Sequence, residues 1–180
     1  MLELRNERGR HVRVWFDDLP DASFPASNTV ERILTPAVHE LVTPRSVMVE
    51  IAHHIGGVIR YSLLGATFTP DITVLSLVVR ISVVPWGQNG KPFKTPLGYC
   101  QGATIVGLPV DWAPMILETT CSVHSLTDLG PGLLWFNQAV YGQVGSHGGA
   151  FSETAKIVAD LISQPDFPPS EETVRVVAGL

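Results

Sequence analysis

The chain has 180 residues, 45% of them hydrophobic and 16% charged, with a formal net charge of −5. That length and composition predict one globular domain over 1–180 with its own core and exclude a disordered tail. The acidic balance disfavours a general nucleic-acid binder, which grips phosphates through clustered Lys and Arg. The most apolar run, Ile72–Pro85, is interrupted by Arg80 and is too short to cross a bilayer.

Four of the twelve basic residues, Arg5, Arg8, Arg10 and Arg13, crowd the N-terminus and predict a solvated, fraying end. No apolar leader-like stretch accompanies them, so a cytoplasmic protein with no membrane contact is expected. Val12, Val14 and Phe16 alternate with Arg13 and Trp15, the period of a half-buried strand. Beyond the Asp17–Pro25 break, Ser27 or Asn28 can cap a helix carrying Val30, Ile33, Leu34, Val38 and Leu41, either kinked at Pro36 or restarted there with Thr35 as N-cap. A β-rich centre follows, with strands over 47–51, 58–64 and 72–84 and turns at Gly56-Gly57 and Thr69-Pro70-Asp71. Residues 85–98 predict a long exposed loop, and 103–107 a short strand. Asp111 can cap a helix over 111–126, with Pro114 in its first turn. Residues 133–141 predict a strand, 142–149 a glycine-rich loop, and Ser152 the cap of a helix that Pro165 stops. Residues 173–177 predict a terminal strand. Together these elements predict an α+β fold: a two-layer sandwich with a largely antiparallel sheet and helices on one face.

The usual chemical signatures are missing. Gly87-Gln88-Asn89-Gly90-Lys91-Pro92 lacks the spacing and the hydroxyl of a phosphate-binding P-loop. No dinucleotide fingerprint and no nucleophile elbow occurs. Cys100 and Cys121 have no metal spacing, which predicts reduced structural thiols and no metal or other cofactor. The residues left as candidates are histidines and their neighbours. Glu50, His53 and His54 fall close together, but adjacent histidines on a strand point to opposite faces. Cys121 and His124, three apart, would share a helix face as a nucleophile pair. His147 stands in Gly145-Ser146-His147-Gly148-Gly149, where glycines allow a tight, exposed tip. An exposed imidazole there would contribute no more than about 0.5 kcal/mol to folding.

The segment Leu134-Trp135-Phe136-Asn137-Gln138-Ala139-Val140-Tyr141, a short loop, and then His147-Gly148-Gly149-Ala150-Phe151-Ser152-Glu153-Thr154-Ala155-Lys156 resembles domain IV of the translocase elongation factors, elongation factor G and its eukaryotic counterpart. Ile105-Val106-Gly107-Leu108-Pro109 and the Trp112–Leu117 segment are similar to that family's Gly-x-x-Pro entry into its other helix, and Ser163-Gln164-Pro165 with a last strand also fits. The resemblance covers the chain from Ile105 onward, and the tip lacks the acidic residues that the bacterial factors place near the histidine. It implies a domain IV-like fold whose tip loop, through His147, Ser146, Gln143, Gly148 and Gly149, meets RNA, the ribosome or a protein partner.

The function expected is therefore a non-enzymatic binding module with a glycine-rich tip loop. The alternative is a small-molecule enzyme that uses Glu50, His53 and His54, or Cys121 and His124, for acid–base chemistry in a pocket on the sheet. A third reading gives Trp86 and Phe93 the contact surface of an assembly protein.

Overall fold

The computed structural model describes residues 1–38, 42–86, 90–97 and 102–180. Alternation of apolar side chains builds its sheet: β1 (Leu2–Arg5), β2 (Arg10–Phe16), β3 (Asn28–Leu34), β4 (Arg45–Ile55), β5 (Val58–Pro70), β6 (Leu77–Val83), β7 (Thr104–Val106) and β8 (Gly132–Gly142). Among the described residues these form one open sheet in the order β1-β2-β4-β5-β8-β6-β3, with β7 pairing the C-terminal end of β8. All the pairings are antiparallel except β6 with β8. A parallel pair needs a crossover, and α1 (Ala113–Cys121), flanked by 3-10 turns at Val110–Trp112 and His124–Leu129, lies on that connection.

Val47, Val49 and Ile51 of β4, Leu64, Ala66 and Phe68 of β5, and the alternate residues of β6 face α1 and α2 (Gly148–Ile162) in the main core. The intervening residues Met48, Ala52, Tyr61, Leu63 and Val140 face the other way, packed against Leu19, Ala22, Phe24, Phe93 and Leu97 from coil. The expected sheet with helices on one face is thus observed, and coil segments add a cover on the second face. No helix among the described residues is long and apolar enough to cross a membrane.

Two elements reverse their expected type. Residues 28–34 form the edge strand β3, paired with β6, where a helix was expected. Val30 and Leu34 are half-buried while Ile33 is exposed, so the i, i+4 spacing read as helical also suits one face of a strand, and pairing decided it. Leu41, the end of that expected helix, lies outside the described residues. The expected terminal strand at 173–177 is helix α3 (Glu171–Ala178), packed on α2. Its β-branched run is overruled by helix punctuation: Ser170 accepts from the N–H of Thr173, Glu171 pairs with Arg175, and Gly179 closes the helix at φ +67.

Smaller shifts have local causes. β6 begins at Leu77 because Asp71 accepts from the Thr73 N–H and hydroxyl, holding a turn that leaves Ile72 and Leu75 in solvent. β5 runs through the expected turn at Thr69-Pro70. The Gly56-Gly57 turn forms as expected, both residues having positive φ. The helix expected over 111–126 is α1 with its two 3-10 flanks, and Trp112, not Asp111, is its N-cap. The N-terminal arginines do not fray: they lie on or beside the β1–β2 hairpin, where Arg13 pairs with Glu3 and Arg10 is buried against Glu153.

Helix α2 is fixed at both ends along β4. At its C-terminus, the buried Arg45 donates to the carbonyl oxygens of Ile162 and Gln164 at 3.1 and 2.5 Å and sits 5.0 Å over the Phe167 ring. Such a cation complements the negative end of the helix dipole. At the N-terminal end, Ser62 on β5 bonds Thr154 at 2.6 Å, and Arg10 on β2 pairs with Glu153. The start of α2 is therefore held above the end of β4 that carries His53.

Candidate functional site

The strand registers set a row of polar side chains across the helix-facing side of the sheet. Arg10 on β2 lies opposite His53 on β4, and His53 lies opposite Arg60 on β5. Directly opposed residues point to the same face, here the one that carries Val12, Ile51 and Leu64. A central imidazole thus sits between two permanently charged guanidiniums, an arrangement that costs stability wherever no anion lies nearby. Arg10 meets Glu153; it is 8% exposed, and its Nε has no hydrogen-bond partner among the described residues. Arg60 and His53 have no ion pair or hydrogen-bonded side-chain partner among the described residues.

Above this row lies the first turn of α2. His147 is its N-cap, with Nδ1 accepting from the Ala150 N–H at 3.3 Å and its carbonyl accepting from Ala150 and Phe151. That assignment puts the ring hydrogen on Nε2, leaving the exposed histidine with one outward donor. The N–H groups of Gly148 and Gly149 have no partner among the described residues, as expected of a helix start. Between the His53–Arg60 part of the row and the turn is a cavity of about 240 Å³, which Arg10 does not line. Its floor comes from Ile51 and His53 of β4 and from Arg60 and Ser62 of β5, and its upper wall from His147, Gly149, Ala150 and Glu153.

The tip loop is pinned to β5. Ser146 donates its hydroxyl to the Tyr61 carbonyl at 2.6 Å and accepts from the Gly142 N–H at 2.8 Å. Gly145 has φ +88 and packs so tightly on β5 that a methyl there would collide with the Ile59 carbonyl oxygen. On the far side of the helix start, Gly148 packs on Trp112, which belongs to an aromatic group with Trp86, Tyr141 and Phe151.

The residues singled out in the sequence separate accordingly. His147, Gly149 and His53 share the cavity. Gly148 lies beside it, in α2, not in a loop: the helix starts there, four residues before the expected Ser152 cap. The Ser146 hydroxyl is spent pinning the loop to β5 and the end of β8. Gln143 is exposed, and its backbone N–H extends the pairing toward Ala103. His54 is exposed on the opposite face from His53, as period 2 requires.

Glu50 also points away from the cavity, fully buried beneath coil. Its Oε1 accepts from the Tyr61 hydroxyl at 2.7 Å and the Leu97 N–H at 2.6 Å, and Arg13 lies 3.6 Å from Oε2. Burial nevertheless raises its pKa above the usual carboxylate range. Cys121 and His124 do not share a helix face, because α1 ends at Cys121; burial raises the thiol's pKa, the opposite of activation. Phe93 is half-buried in the second core while Trp86 is 61% exposed, so the two do not form one surface. Cys100 lies outside the described residues.

A second cavity, about 290 Å³, lies on the coil-covered face against Phe24, Pro25, Val84 and Val106. It is chiefly apolar, and its one cation, Lys91, is tied to Asp21 at 2.9 Å. Among the described residues no group of three or more His, Cys, Asp or Glu is placed to hold a metal ion. The residues that sequence reasoning missed are Arg10, Arg60, Ser62 and Glu153. Of these, Arg60 was within reach, since a two-residue turn at Gly56-Gly57 pairs it with His53. Comparisons with protein-family models, with curated proteins and with solved structures found no match.

Proposed function

We propose that the protein is a non-enzymatic binding module whose working end is the α2 N-terminus, and that its cavity receives an anionic group, a phosphoryl or a carboxylate. The observation that carries this is that His53 and Arg60, opposed on one face, line the cavity with no ion-pair partner among the described residues, while Arg10, next in the row, pairs with Glu153 on the opposite wall. Gly149, in the first turn of a fifteen-residue helix, lines the same cavity, and its N–H has no partner among the described residues at the positive end of the helix dipole. The partner classes implied by the likeness to elongation factor domain IV, namely RNA, the ribosome or a protein, all carry such anions and would approach at His147.

The test is calorimetric titration of the protein with inorganic phosphate at low ionic strength. Binding is expected, weakening as salt is added, and Arg60→Gln should weaken it at least about fivefold through loss of one charge-assisted contact. No binding to the wild-type protein, or binding unchanged in Arg60→Gln, overturns the proposal.

A second reading, a small-molecule enzyme, has one observation in its favour. His53 and His147 line the same cavity as a carboxylate, which is the inventory of an acid–base site. Turnover of a bound ester that is lost in both His53→Gln and His147→Gln, with binding retained, would select it.

A further inference from the structure

Glu153 is out of place in a cavity for a bare anion. It is the one carboxylate among the described residues that line the cavity, and its negative charge opposes any ligand that brings nothing but acceptors. Its place is held from outside. Oε1 accepts from the guanidinium of Arg10, which reaches it from a neighbouring cavity lined by Lys156, Asp160 and Val177. Oε2 has no hydrogen-bond partner among the described residues, and the side chain is half-exposed. Arg10 on β2 and Arg60 on β5 stand two strand spacings apart, roughly 10 Å at the backbone. The cavity thus has an acceptor tied to its β2 side, while Arg60, His53, His147 and the Gly149 N–H supply donors around the rest. Ser62, the remaining polar side chain of the floor, shares its hydroxyl with Thr154 at 2.6 Å.

We infer that the ligand is inorganic phosphate, recognised by the proton it keeps: its O–H donates to Oε2 of Glu153 while its other oxygens accept from Arg60, His53 and the start of α2. This rests on the reading of the cavity as an anion site and adds the ligand. Near neutral pH inorganic phosphate always carries at least one proton. A phosphate monoester sheds its last one above a pKa of about 6, and sulfate and ordinary carboxylates carry none. A site built around an acceptor rejects the isostere without the proton, because two anionic oxygens then face each other with nothing between them. At about 240 Å³ the cavity is also smaller than the roughly 300 Å³ at which pockets for drug-sized ligands begin, which suits a small ion taken whole.

The test is calorimetry at pH 8 and low ionic strength with inorganic phosphate, sulfate and methyl phosphate. All three are then dianions with a tetrahedral head, and only inorganic phosphate has a proton to give. It should bind about tenfold or more tightly than either of the others, the worth of one hydrogen bond to a charged group. Glu153→Gln keeps an oxygen for Arg10 and sets an amide N–H2 in place of Oε2, so the three affinities should converge to within about threefold. Glu153→Asp, which keeps the charge but draws the acceptor back by one methylene, should lose most of the preference. The wild-type comparison decides even where a variant fails to fold. Sulfate or methyl phosphate binding as tightly as phosphate, or a preference that survives in Glu153→Gln, overturns the inference and leaves the anion site standing. Failure of all three to bind removes the cavity reading and this inference together.

Discussion

His147 does two jobs in this structure, and substitution can separate them. Its Nδ1 caps α2 through the Ala150 N–H, and its Nε2 side faces outward at the cavity mouth. Replacing an N-cap acceptor by alanine costs about 0.5–2 kcal/mol. At 3.3 Å this bond is long, so His147→Ala should cost roughly 0.5–1 kcal/mol. For a chain of this size that lowers Tm by roughly 1–4 °C. The figure exceeds the bound drawn from an exposed imidazole alone, because the cap is invisible until the helix start is placed at Gly148. His147→Asp restores a good cap and favours the helix dipole, so its Tm should match the wild type within about 2 °C. The same carboxylate repels an anion at the mouth, and phosphate affinity should fall at least about tenfold. Thermal melts and phosphate titrations of the three proteins decide the matter. If alanine melts at the wild-type temperature, the cap is not holding the helix. If aspartate binds phosphate as the wild type does, the anion account is refuted.

Other substitutions test the frame around the site. Glu50 has its pKa raised by burial, so the folded state favours the protonated acid; its contribution to stability is full below the ordinary carboxylate pKa and is lost as pH rises through the raised value. Glu50→Gln keeps the acceptor for Tyr61 and Leu97, and urea titrations should show it equal to wild type at pH 4 but progressively more stable above pH 5; parallel curves would contradict this. Arg45→Met leaves the Ile162 and Gln164 carbonyls without their buried donor and should cost about 2–3 kcal/mol. In a melting experiment that is a loss of roughly 4–12 °C, and a loss under 2 °C would show the clamp to be idle. Gly145→Ala forces a side chain into a positive-φ site against the Ile59 carbonyl and should cost roughly 1–3 kcal/mol, with faster amide exchange at Gly142 as the Ser146 contacts loosen. Unchanged exchange would place the strain elsewhere.

Much of the frame was legible in the residues. The alternation in β2, the Gly56-Gly57 hairpin and the strand–loop–helix run from β8 to α2 all carry local signals strong enough to survive folding. The split of His53 from His54 followed from strand period alone, whereas Glu50 was still grouped with them until the structure turned it to the other face. Other features were decided by contacts that no window contains. Residues 28–34 became a strand because β6 offered an edge, and the α3 segment became a helix because Ser170 and Gly179 outweigh its valines. The site itself was the hardest to read. His53 and His147 appeared as members of rival hypotheses, one catalytic and one a binding tip. They share a cavity only because β4, β5 and β2 align in one register and Arg45 and Ser62 hold α2 across them. Arg10 looked like part of a loose basic end until β2 placed it opposite His53.

The most direct test of an anion site at the α2 N-terminus is amide NMR of the labelled protein during titration with inorganic phosphate. The N–H groups of Gly148 and Gly149 have no partner among the described residues, and Gly149 lines the cavity. Their resonances should shift downfield together and saturably, with His53 and Arg60 moving in step, and the shifts should collapse in Arg60→Gln. Shifts confined to other parts of the chain, or equal shifts at Gly148 and Gly149 in Arg60→Gln, would contradict the account.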